Sequence, residues 1–155
     1  MTALWHAIRD GALTPGQRAF FPERAYVQVK SIGDAAADYR DRLLGDYSLD
    51  IAAAHALLGG RSGSSQLIGV HVPQGYAHWV PPEACYNRVG YYEVPNSRLV
   101  YRQGGDVRSL GIASMISWRG VWYVVHLGAV TRPAAVGLVD DPSEGVGESV
   151  PSSTC

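Results

Sequence analysis

Between Asp34 and Gly59 the apolar positions recur at a helical step. Tyr39, Leu43, Tyr47, Ile51, His55 and Leu58 follow one another at intervals of four, four, four, four and three, so they share one face. Gly45 weakens the middle of the run and Ser48 suits a helix N-cap, so the pattern predicts two consecutive helices, roughly 34–44 and 48–58. Leu4, Trp5 and Ile8 predict a short N-terminal helix ended near Gly11 and Pro15. Phe20-Phe21-Pro22 breaks that segment, and Ala25 to Val29 reads as a short strand or an extended link. The glycine- and serine-rich run from Gly59 to Ser65 stops the second helix and reads as a mobile loop.

From residue 66 the period changes to two. Ile68, Val70 and Val72 alternate with Leu67, Gly69 and His71, as in a half-buried strand. Residues 73–96 are rich in loop signals, with Pro73, Pro81, Pro82 and Pro95. Two hairpins follow, one turning at Gly104-Gly105 and the other at Arg119-Gly120. Two-residue turns set the register: Gln103 opposite Asp106, Tyr101 opposite Arg108, Leu99 opposite Leu110, then Trp118 opposite Val121, Ile116 opposite Tyr123, Ser114 opposite Val125 and Ile112 opposite Leu127. Both turns then place Leu99, Tyr101, Leu110, Ile112, Ile116, Trp118, Val121, Tyr123, Val125 and Leu127 on one face. The other face carries Gly111, Ala113, Met115, Ser117, Trp122, Val124, His126 and Gly128 and is still fairly apolar, which suggests a cover such as a second chain or the C-terminal segment. Residues 131–155 lose all period and read as a flexible Pro/Gly/Ser/acidic tail, leaving 1–130 as a single domain.

Composition narrows the function classes. The chain has 155 residues, 46% of them hydrophobic and 17% charged, which suits one globular domain. Thirteen basic residues against fourteen acidic ones leave a net charge of -1, so no general nucleic-acid partner is expected. No apolar run reaches the roughly 18 residues of a membrane span. Lys30 is the only lysine among the basic residues. The arginine excess follows the codon bias of a GC-rich genome, so it does not argue for phosphate binding. With cysteines only at 85 and 155, a disulfide framework is not expected. A single Cys85–Cys155 bridge fits an oxidising compartment, but no local spacing demands it. The N-terminal residues lack the basic and apolar regions of a signal peptide.

Helices followed by a bent antiparallel meander is the layout of cone-shaped α+β folds, nuclear-transport-factor-2-like (NTF2-like) or cystatin-like. The opening ALWHAIRDGAL…FFPERAYVQVKSI resembles the first helix and following segment of an NTF2-like domain. DYRDRLLGDYSLDIAAAHALLG and GIASMISWRGVWYVVHLGAV resemble an uncharacterised actinobacterial family, often the globular part of secreted or lipid-anchored proteins. The resemblance spans about residues 3–130. It implies an extracytoplasmic location and carries no assigned activity or cofactor; such folds host enzymes, binding modules and dimerisation modules alike.

The expected fold is therefore α+β, with N-terminal helices packed on a curved antiparallel sheet of four to five strands. The first functional expectation is a non-catalytic ligand-binding or self-association module of the bacterial cell envelope. Its ligand site is the aromatic loop set Tyr76, Trp79, Tyr86, Tyr91 and Tyr92, with polar contacts from Asn87, Arg88 and Glu93 to a sugar, peptide or small hydrophobic ligand. The plainer reading of that set is a loop packed on the sheet. A homodimer through the outer sheet face would use Met115, Trp122, Val124 and His126. The alternative is a small cone-fold enzyme (isomerase, dehydratase or hydrolase) with His55 as general base and Asp50 or Tyr47 beside it; a lone histidine on an apolar stripe more often serves the core edge. His71, His78 and Cys85 recur every seven residues without a short ligand clamp, so no metal is expected. Cys85 lacks a motif that would lower its pKa, which favours a structural role over a nucleophile.

Overall fold

The computed structural model describes residues 1–128, 132 and 134–151. Helix α1 (Thr2–Asp10) buries Leu4, Trp5, Ala7 and Ile8 and ends at Gly11, whose φ of 66° suits glycine. A short α2 (Leu13–Gly16) and a 3-10 turn lead to Phe20-Phe21-Pro22. The next segment differs from the sequence expectation, because Ala25 to Val29 lies in helix α3 (Glu23–Val29) and not in a strand or link. Pro22 stands at its N-cap with Glu23 in the first turn, and Ala25, Tyr26 and Val29 share its buried side at helical spacing.

Helix α4 (Ala35–Asp38) is capped by Asp34, whose Oδ1 accepts from the Ala37 amide at 2.8 Å. It continues without a break through a wide π turn (Tyr39–Leu43) into α5 (Leu44–Leu58). The expected interruption at Gly45 and Ser48 is not there; the Ser48 hydroxyl donates back to Leu44 O at 3.0 Å. A constant interval of four overshoots each 3.6-residue turn by about 40°. The wider turn takes up that overshoot and keeps Tyr39, Leu43, Tyr47 and Ile51 buried together. A run of 3-10 turns (Gly59–Ser64) takes the place of the expected loop.

The sheet is antiparallel, with β1 (Gln66–His71), β3 (Tyr91–Gln103), β4 (Asp106–Trp118) and β5 (Val121–His126) in the order β1-β3-β4-β5. Strand β2 (His78–Val80) adds to β3, and β6 (Ser143–Glu144) adds to β4. Both hairpin turns form, with positive φ at Gly104, Gly105, Arg119 and Gly120. The expected pairs Leu99–Leu110, Tyr101–Arg108, Ile116–Tyr123 and Trp118–Val121 are present. The register then slips: Met115 pairs with Val124 but Ser114 pairs with His126, leaving Val125 as an extra residue. Ser114 therefore does not face Val125. The Ala113 amide reaches Leu127 O, so Ile112 and Leu127 are not opposite each other either.

The core joins the two layers. Trp5 packs on Tyr101 with ring centroids 5.2 Å apart, and Phe21 meets Trp118 and Tyr123 edge-on. Ile112, Ile116 and Leu127 are buried, as an α+β fold with helices on a curved sheet requires. Phe20 bridges Val124 in parallel and the Phe21 amide donates to Val124 O at 2.9 Å, closing the outer edge of β5. The described part of the expected tail lies along the sheet: β6 pairs with β4, and the Gly111 amide donates to Asp140 O at 2.6 Å.

Candidate functional site

The three residues of the enzyme reading each have a structural partner. Tyr47 is wholly buried, its ring stacked on Phe20 at 3.9 Å and its hydroxyl 3.4 Å from Val124 O. Asp50, 1% exposed, accepts from the Gly128 and Leu138 amides, both at 2.9 Å. It is also gripped by both terminal nitrogens of Arg132, at 2.9 and 3.0 Å. His55 donates from Nδ1 to Ile8 O at 3.1 Å and lies against Gly11, tying α5 to the end of α1. The three share a helix, but no common reacting point emerges from their contacts.

A second polar group forms between α3 and the sheet. The Ser114 hydroxyl donates to Glu93 Oε1 at 2.5 Å, and His78 Nε2 stands 3.8 Å from Glu93 Oε2. His126 faces Ser114 across the strand pair, placed there by the Val125 bulge. Lys30 donates to Cys85 O at 3.0 Å; burial and the nearby Arg42 charge lower its pKa. Tyr26 donates to Asp38, which also accepts from Arg42 Nε and Nη2 at 2.8 and 2.6 Å. Burial pushes the His126 imidazole down to about 4, and the charges of Arg42, Lys30 and Arg132 add to the effect against the opposing pull of Asp50.

This placement has a measurable consequence. The folded value lies below the ordinary 6.5, so the unfolded chain binds the extra proton in the window between about pH 6.5 and 4. Stability is expected to fall as the pH drops through that window, by up to about 3 kcal/mol. His126→Asn should flatten that part of the pH–stability curve in urea titrations; an unchanged slope would refute the assignment.

The aromatic loop set divides in two. Asn87 is buried and donates to the Tyr91 hydroxyl at 3.1 Å, while its Oδ1 has no hydrogen-bond partner among the described residues; Arg88 donates to Lys30 O at 2.8 Å. With the Ser31 amide on Tyr86 O and the Arg88 amide on Val29 O, these bonds fasten residues 86–88 to the end of α3. Tyr76, Trp79, Tyr86 and Tyr92 instead project outward, and Trp79 and Tyr92 meet edge-on at 5.2 Å. Trp79 pairs with Tyr92, Glu93 pairs with Ile116, and Ser117 pairs with Trp122. That register sets Trp79, Tyr92, Ser117 and Trp122 in one line across four strands. Trp79, Tyr92 and Trp122 are 51%, 54% and 42% exposed.

Of the expected interface residues, Met115 and Val124 pair directly and share a face with Trp122, and only His126 is moved away. Met115 and Val124 are core residues, Trp122 is exposed, and the bulge moves His126 to the position opposite Ser114. Cys85 is disulfide-bonded and so presents no thiolate, and Cys155 lies outside the described residues. Among the described residues no group of three or more His, Cys, Asp or Glu is placed to hold a metal, and no helix is long and apolar enough to cross a membrane. Sequence reasoning missed the Glu93–Ser114–His126 group because a bulge leaves no trace in an alternating pattern. It also missed Arg98, a charge among strand residues that is an available signal of a buried socket. Compared with protein-family models, curated proteins and solved structures, the chain matches none.

Proposed function

We propose that this chain is a non-catalytic self-association module with an NTF2-like cone, joining a second copy through its outward aromatic line. The line Trp79–Tyr92–Ser117–Trp122 carries the reading. Exposed aromatic patches of this kind mark interaction surfaces. A two-fold axis parallel to the strands, between β3 and β4, sets Trp79 of one copy over Trp122 of the other. The same axis sets Tyr92 over the notch at Ser117, so the surface complements itself as an isologous interface requires. The structural commitments of Tyr47, Asp50 and His55 weigh against the enzyme reading. The disulfide at Cys85 supports an oxidising, extracytoplasmic setting such as the cell envelope.

Light scattering across a concentration series tests the proposal. The unmodified chain should reach the mass of a dimer, and the double variant Trp79→Ala, Trp122→Ala should stay monomeric with an unchanged circular dichroism spectrum. A monomer at every concentration, or a double variant that still dimerises, would remove the self-association reading and return the aromatic face to a sugar or peptide ligand.

A further inference from the structure

We propose that the groove filled by residues 140–147 is a docking site for an extended acidic peptide, with the chain's own segment as a built-in competitor. Strand β4 runs for thirteen residues but β5 for only six. The pairing of β5 ends near Ala113, and the returning chain takes up the rest of the same β4 edge. Gly111 donates to Asp140 O, Ser109 and Arg108 pair with Ser143 and Glu144, and Gly145 donates to Val107 O at 2.9 Å. A partner peptide would use the same backbone groups, as in strand addition to a sheet edge.

The side chains along the groove set the partner's charge. Arg98 is 1% exposed, and its Nη1 donates to Asp141 Oδ2 at 2.8 Å. Its Nη2 donates to Ser109 Oγ at 2.8 Å and Asp141 O at 2.7 Å. A guanidinium buried in this way selects a carboxylate. The chain's own segment meets the groove incompletely: Arg98 Nε and Arg108 Nε are buried without a hydrogen-bond partner among the described residues, as is Ser149 Oγ. Asp141 adopts a φ of 35°, uncommon for a residue with a side chain, and its own side chain is 64% exposed. A cavity of about 330 Å³ lies along the seam, lined by Asp106, Val107, Arg108, Glu144 and Gly145. A carboxylate approaching side-on would engage Nε and Nη of Arg98 together, and a second acidic residue would reach Arg108. The occupant is thus an extended strand with two acidic side chains, better fitted than the segment now in place.

The probe is a fluorescent synthetic peptide of residues 138–148 added to the full chain. It should bind the Asp141→Ala chain about tenfold tighter than the unmodified chain, whose intact latch competes. A peptide carrying asparagine in place of Asp141 should bind that variant about tenfold more weakly, which tests the Arg98 socket without altering the core of the protein. In hydrogen exchange on the unmodified chain, the Gly111 amide should exchange faster than the amides that β4 donates to β3. No binding to either chain, equal binding of the two peptides, or a Gly111 amide as slow as the central ones would each overturn the proposal. So would a concentration-dependent dimer of the Asp141→Ala chain that persists without peptide when Trp79→Ala and Trp122→Ala are added, since that makes a second copy the occupant of this groove and not a partner across the aromatic line.

Discussion

Replacing Asp50 by alanine is expected to destabilise the fold by about 3–5 kcal/mol, the cost of breaking a buried, hydrogen-bonded charge pair from one side. The carboxylate ties three separate parts of the chain together: α5, the end of β5 at Gly128, and the returning segment at Arg132 and Leu138. Alanine leaves two inward-facing amides without their acceptor and removes the two-pronged carboxylate contact from Arg132, whose side chain is itself nearly buried; the ion pair to Asp46, 3.6 Å from its Nε, is longer and replaces only part of it. Asp50→Asn keeps one acceptor oxygen and should fall between the two. The check is a urea titration at neutral pH, in which the midpoint should move with little change in slope. A loss below about 1 kcal/mol would show that the hub does not hold these parts together.

The second large effect is expected at Phe20. Its ring is buried and stacked on Tyr47, and its backbone bridges Val124 at the outer edge of β5. Phe20→Ala should cost about 3–5 kcal/mol through lost burial and the cavity left beside Tyr47. Tyr47→Phe, by contrast, removes only a long hydrogen bond to Val124 O and should cost less than about 1 kcal/mol. Thermal melts of the two variants decide the matter. A Tyr47→Phe chain as unstable as Phe20→Ala would mean that the hydroxyl, not the ring stack, holds this corner.

Both residues show how far the sequence can be read. Tyr47 sits where the apolar stripe puts it, on the buried side of a helix. Its partner Phe20 belongs to a stretch that reads only as a helix breaker, because pairing with β5 depends on a strand about a hundred residues away. Asp50 stands one position before the stripe residue Ile51, and nothing nearby in the chain marks it as a hub; its partners lie 78 to 88 residues further on. The Val125 bulge moves His126 for a similar reason. A single extra residue is decided by how β5 fits against β4 and Phe20, not by the alternation within β5.

What the chain determines by itself is local. The interval of four between apolar residues, the glycines at two turns and the alternation beside them specify helix on both sides of Gly45, though not its continuity through that residue, and both hairpins with their first pairs, because these features need only neighbours within a few residues. Tertiary structure alone decided that residues 25–29 form a helix, that Asp50 gathers Arg132 and two distant amides, and that residues 140–147 fill the open edge of β4. Each of those depends on hydrogen bonds and burial between segments far apart in the chain, and their free energy exists only once the two layers have closed on each other.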